Sequence, residues 1–291
     1  MIKNFLFLIT TIIVVAQQIK PSNHITYLNR VNEIDSIYRF KKDTLLALTM
    51  YDALFKEFPP HNSYMINEYQ SYIVLSNMVN RDFGGKKSLY KLIPLIAPNW
   101  KYNKMDKDLL KLYKKYGIDS LEVEGEIGKW KRSLNKRLVD SFSIASLRDQ
   151  EKNRRDGQLQ RLNDKKNREL LTWTFNNYGY PSVQKIGLWG NNDVFMPMNS
   201  ILNHIGGSSS EDYIYFRDKI LEYIKLGDCN PEDYAYMVDK RAGSDNMGSV
   251  YGVLYFNKSK TDTIVINRNR KKIGMPSLQH SKKILEDFLK N

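Results

Sequence analysis

Apolar residues recur at the three- and four-residue spacing of amphipathic helices along most of this 291-residue chain. The first apolar stripe runs over 27–38, and a second over 43–58 ends at Pro59 and Pro60, which cannot continue a helix. Three further helices, each followed by glycine or proline, are predicted over 62–83, 86–97 and 106–117. Helices joined by such short breaks predict antiparallel helical hairpins for residues 17–140.

This helical-hairpin region is similar to a degenerate tetratricopeptide array. Small residues, Ala47 and Ala53, lie in one helix, and an aromatic-rich helix follows it. Because the regular period of about 34 residues is missing, a plain helical bundle is the alternative.

The second half, residues 141–291, continues with helical spacing and then changes period. Helices are predicted over 159–179, 192–206, 208–228, 230–243 and 275–291. Two runs rich in β-branched and aromatic residues, 249–256 and 261–267, flank a polar turn and predict a hairpin. The predicted fold class is therefore mainly α: helical hairpins followed by an α-rich domain with a small antiparallel β-hairpin.

The first sixteen residues have the layout of a secretory signal peptide: Lys3, an apolar run over 5–15, and small residues ending at Ala16. The run is shorter than the roughly 20 residues of a membrane span. We therefore predict an exported protein, periplasmic or extracellular, with no stable membrane span after cleavage. An uncleaved anchor is the alternative.

The charge pattern adds one candidate surface. The formal net charge is +13, and residues 129–171 hold 13 Lys and Arg against 6 Asp and Glu, a local +7. This segment is either a solvated helical face or a binding surface for an anionic ligand or polymer.

Chemistry-bearing residues are sparse, and no histidine pair or cysteine pattern has metal-ligand spacing, so neither a metal nor a cofactor is predicted. His204 is the best candidate general base, and Asp239 is its candidate partner. Arg241 and Tyr251 are the candidate binding groups beside them, and Tyr178 and Tyr180 could line a pocket. For each of these residues a packing or helix-end role is the alternative.

Five segments in the second half occur in an order that suggests a family. They are the charged helix at 148–170, "YGYP" at 178–181, "LNHIG" at 202–206, "DKR" at 239–241 and "SVYG" at 249–252. Over roughly residues 145–280 the chain resembles a bacterial domain-of-unknown-function family, number sixty-six twenty-four. The chain departs from the family pattern at Tyr180, Asn203 and Lys240, and the resemblance implies no known reaction.

These features predict a binding or interaction module whose helical hairpins offer a surface to a protein partner. One alternative is a hydrolase-like enzyme that uses His204 and Asp239. A second is anionic-polymer binding through the basic 129–171 segment.

Overall fold

The computed structural model describes residues 23–63, 65–151, 156–254 and 262–290. These residues are mainly helical, as predicted. The helices are α1 (His24–Ser36), α2 (Thr44–Glu57), α3 (Glu68–Met78), α4 (Gly85–Ile96), α5 (Trp100–Asn103), α6 (Lys107–Lys115), α7 (Ser120–Ser133), α8 (Lys136–Asp149), α9 (Gly157–Tyr178), α10 (Val183–Ile186), α11 (Met198–Gly206), α12 (Ser210–Leu226), α13 (Pro231–Ser244), α14 (Thr263–Lys272) and α15 (Leu278–Phe288). The predicted signal peptide at 1–16 lies outside the described residues.

Side-chain caps explain why several helices begin where they do. Asn230 caps α13 by accepting the amide of Glu232, and Pro231 takes the first helical position. The hydroxyl of Ser209 accepts the amide of Asp212 at the start of α12. Such caps satisfy backbone donors that have no partner within the helix.

The buried apolar residues form two clusters that interlock at the ends of the chain. The first cluster gathers side chains from α1 to α7 and adds Ile284 from α15. The second runs from Leu138 in α8 to Met275 and adds Ile25 from α1. The predicted division near residue 140, which falls within α8, stays a prediction.

The predicted β-hairpin is wrong, because the described residues contain no β-strand. In the first run, residues 249–254 form an irregular loop whose backbone amides converge on one carboxylate, that of Asp239. A strand could not do this, since its successive amides point to opposite sides.

The second run is helical where the structure describes it. Asp262 accepts the amides of Ile264 and Val265, which starts α14 in spite of the β-branched sequence. Local propensity is overridden here by the cap and by burial of Ile266.

Helices α11 and α13 pack closely at Gly206. A Cβ atom at this position would lie 2.5 Å from the carbonyl oxygen of Met237 and 2.9 Å from the Cβ of Lys240. The neighbouring Gly207 has its nearest such atom, the carbonyl oxygen of His204, at 3.6 Å, which is an ordinary contact. Only hydrogen fits at position 206 without moving the two helices apart.

We expect Gly206→Ala to lower the free energy of unfolding by about 1–3 kcal/mol, because the added methyl overpacks this contact. Denaturant unfolding measures the change. Gly207→Ala is the matched control, with an expected change within about 0.5 kcal/mol. Equal losses in the two variants would contradict this account of the packing.

Candidate functional site

Asp239 lies on α13 and is fully buried. Its carboxylate accepts the Ser249 hydroxyl at 2.6 Å and backbone amides of the loop at 2.7–3.2 Å, namely those of Val250, Tyr251, Val253 and Leu254. The Ser249 oxygen in turn accepts the amide of Gly252, whose φ of 70° favours glycine. Five donors thus compensate the cost of burying this carboxylate, and both of its oxygens are occupied.

His204 lies on α11, between two other carboxylates. Its Nε2 is 3.1 Å from Oδ1 of Asp149, at the end of α8, and its Nδ1 is 3.1 Å from Oδ1 of Asp164 on α9. Hydrogen bonds to Asp149 and then Asp164 raise the pKa of His204 to about 10, although burial acts in the opposite direction. At neutral pH the ring is therefore an imidazolium that lies between two carboxylates.

The predicted His204–Asp239 couple is not formed, because each residue contacts other partners. A general base needs an unprotonated nitrogen near the reacting proton, and His204 has both nitrogens engaged. Asp239 orients the 249–254 loop instead of the histidine. The two carboxylates can neutralise a charged His204, and the loop donors can stabilise the Asp239 carboxylate, but neither contact activates a nucleophile.

Arg241 connects the end of α13 to the start of α12. Its guanidinium pairs with Asp245 at 2.8 Å and donates to the Ser208 carbonyl and the Ser210 hydroxyl. The group also lies over the ring of Tyr213, 5.2 Å from the centroid. These contacts match the packing alternative more closely than a binding role for an anionic substrate.

The three candidate tyrosines occupy different environments. Tyr251 is buried with its ring beside Tyr234, and burial raises its pKa. Tyr180 is buried and its hydroxyl lies 3.4 Å from Oδ2 of Asp233, with burial again raising its pKa. Tyr178 is half-buried and packs on Trp173.

Within the described ranges, Asp149, Asp164 and His204 are the group whose ligand atoms lie close enough, within 4.8 Å, to hold a metal ion. A cation on a ring nitrogen would have to displace its proton. Each ring nitrogen nevertheless lies 3.1 Å from a carboxylate oxygen, a spacing that suits an imidazolium between two anions. The geometry therefore favours a protonated bridge.

No sequence signal marks either carboxylate beside His204. Asp149 and Asp164 precede it by 55 and 40 residues, in a charged segment where acids alternate with bases. Only the packing of α8, α9 and α11 against one another brings the three residues together.

Comparison of the chain with protein-family models found no match, and comparisons with curated proteins and with solved structures found none either. The resemblance to family sixty-six twenty-four over residues 145–280 therefore stays a prediction. None of the described helices is both long enough and apolar enough to cross a membrane.

We expect the stabilising effect of His204 to be lost as the pH becomes alkaline. Its pKa is about 10 in the folded chain and about 6.5 when unfolded, so its contribution is fully present below pH 6.5 and is lost as pH rises towards 10. The difference in unfolding free energy between wild type and His204→Gln should therefore be largest at pH 6 and shrink towards pH 10.

The matched control is His24→Gln. Burial, and then His61, lowers the pKa of His24 to about 4, so its difference from wild type should change between pH 6.5 and 4 and stay flat above. A wild-type advantage over His204→Gln that is constant from pH 6 to 10 would contradict the imidazolium bridge.

Proposed function

We propose that the chain is an exported binding protein that holds a protein partner on an exposed aromatic patch. The patch consists of Tyr102, Trp189 and Phe195, with Lys101 over the Trp189 ring, and is extended by the exposed Met105, whose amide donates to the Tyr102 carbonyl. This surface is the observation that carries the proposal. Export rests on the sequence of residues 1–16 alone.

The aromatic patch is continuous across two separate segments of the chain. The ring centroid of Trp189 is 6.3 Å from that of Tyr102 in α5 and 5.0 Å from that of Phe195. An isolated antiparallel bridge joins Trp189 to Phe195 and fixes their spacing. The Lys101 ammonium lies 4.1 Å from the Trp189 ring, which adds a cation to the apolar surface.

Its composition favours a protein partner. Tyr102 is 61% exposed, Met105 74% and Phe195 48%, so large apolar side chains meet water side by side. Tyrosine, tryptophan, phenylalanine and methionine are enriched where protein surfaces bind one another, and a few such residues usually carry most of the affinity. A partner that covered the patch would remove this apolar surface from water.

The hydrolase-like alternative has less support. It requires His204 and Asp239 to act together, whereas their hydrogen bonds go to Asp149 and Asp164 and to the 249–254 loop. The sequence predicted that the partner binds the helical hairpins of the N-terminal region. The aromatic patch includes one residue of that region, Tyr102 in α5.

The partner can be trapped with a photo-crosslinking amino acid at position 105 of the full chain in the bacterium that produces it. Its affinity is then measured with purified components. We expect Tyr102→Ala with Phe195→Ala to weaken binding at least about tenfold, since truncation of a central aromatic residue typically costs more than 1 kcal/mol.

The matched control is Leu121→Ala with Ile264→Ala, which removes side chains that are 81% and 70% exposed on other helices. It should leave the affinity within about threefold of wild type, a change of less than roughly 1 kcal/mol. The proposal fails if position 105 gives no saturable cross-link, or if both double variants bind as wild type.

A further inference from the structure

A second surface lies on the helices of the basic 129–171 segment and carries a strong uncompensated positive charge. We call it the basic face; it comprises Lys131 and Arg132 at the end of α7, Arg137 in the first turn of α8, and Lys166 and Trp173 on α9. All four cations are exposed. Lys166 and Trp173 are seven residues apart, so they lie on the same side of α9, two turns or roughly 10 Å from each other.

Nearby acids do not neutralise these cations. Asp149 and Asp164 pair with His204, and Glu169 is 3.9 Å from Lys165. Asp140 accepts the side-chain amide of Asn191 and lies 3.7 Å from Lys136.

Within the part of the chain that the structure describes, Lys131, Arg132, Arg137 and Lys166 therefore form no ion pair. Unpaired like charges in one segment of the chain repel one another in the free protein. A bound polyanion would relieve that repulsion, and the positive potential of the basic face would attract it.

Arg137 is ordered in advance for binding. Its guanidinium lies 4.7 Å from the centroid of the half-buried Trp173 ring, and Trp173 packs in turn on Tyr178 at 5.2 Å. A guanidinium held over a ring in this way keeps N–H groups for an acceptor. Those groups match the two oxygens of a carboxylate or sulfate group.

The same stacking distinguishes between two classes of polyanion. Proteins that bind single-stranded nucleic acid offer open aromatic faces on which bases stack. Here Arg137 covers the Trp173 ring, and the other members of the basic face carry charge alone. Recognition through spaced charges and a fixed guanidinium suits a polymer whose acidic groups project from a saturated backbone.

We propose that the basic face binds an acidic polysaccharide through its carboxylate or sulfate groups. Lys131, Arg132 and Lys166 supply charge, and Arg137 supplies the directed hydrogen bonds. This site uses residues other than those of the aromatic patch. It goes beyond the proposed function and does not require it.

The test uses the full chain with polygalacturonate, heparin, neutral dextran and an oligothymidylate, each titrated at low and at physiological salt. The face variant is the triple Lys131→Ala, Arg132→Ala and Arg137→Ala. The matched control removes the same three charges from α6, as Lys107→Ala, Lys111→Ala and Lys114→Ala. Thermal unfolding of both triples checks that they fold.

We expect polygalacturonate or heparin to bind wild type, with affinity that falls as salt rises, and dextran not to bind. The face triple should weaken binding at least about tenfold, while the α6 triple should weaken it less than about threefold, since only local charges contact the polymer. Arg137→Lys keeps the charge but loses the stacked fork, so it should also weaken binding measurably.

Three outcomes would overturn the proposal. The first is equal weakening by the two triples, which would mean that net charge alone drives binding. The second is an oligothymidylate that binds through the face more tightly than either polysaccharide, and the third is no polysaccharide binding at low salt. Tyr102→Ala with Phe195→Ala should leave polysaccharide binding unchanged, which separates this proposal from the protein-partner proposal.

Discussion

A single buried carboxylate, that of Asp239, holds together the C-terminal part of the structure. Burying an unpaired carboxylate would be very costly, and four backbone amides with one hydroxyl compensate for it here. The loop that provides them has no regular hydrogen bonding of its own. Its conformation therefore depends on Asp239, and the position of α13 relative to that loop depends on the same contact.

The 249–254 loop passes this constraint on to the last two helices. Its carbonyl oxygens at Val250 and Tyr251 accept from the side chains of Asn269 and Arg270 in α14. Arg270 is buried and also donates to the Pro276 carbonyl and the Ser281 hydroxyl, which positions α15. The Asp239 carboxylate and the Arg270 guanidinium thus order residues 249–254, which form neither a helix nor a strand.

Helix α15 in turn contacts α1, the first helix. His280 lies 2.7 Å from the buried Asp35 carboxylate of α1, and Arg39 bridges Asp35 to Asp287. A buried ion pair such as Arg39–Asp35 positions elements and is strongly destabilising when one partner is removed. The two apolar clusters also connect these helices, since Ile25 of α1 belongs to the second cluster and Ile284 of α15 to the first.

The sequence was sufficient for features that depend on neighbouring residues. Helical stripes, the Asn230–Pro231 start of α13 and the stop at Gly179 follow from periodicity and from backbone preferences over a few positions. The strand prediction is wrong over 249–254 because the β propensity of these residues is outweighed by their hydrogen bonds to the carboxylate of Asp239, ten residues before Ser249. Propensity describes short segments, whereas that contact depends on the packing of α13.

The partners of the candidate site residues could not be predicted from the sequence for a related reason. Sequence reasoning paired His204 with Asp239 because histidine is a good general base and because charged residues recur in the pattern of the resembled family. Each instead meets partners that only the assembled helices provide, Asp149 and Asp164 for one and the loop amides for the other. The helix-end position of Arg241 follows from the sequence, but Ser208 and Ser210, to which it donates, lie 33 and 31 residues away.

The most direct test of the central claim is amide hydrogen exchange across residues 249–254. If the Asp239 carboxylate organises this loop, the amides of Tyr251 and Val253 should exchange at least about a hundredfold more slowly than in an unstructured chain, despite the lack of secondary structure. Asp239→Asn offers one acceptor oxygen in place of two, so it should accelerate exchange there and in α14. Rapid exchange of both amides in the wild-type protein would contradict the account.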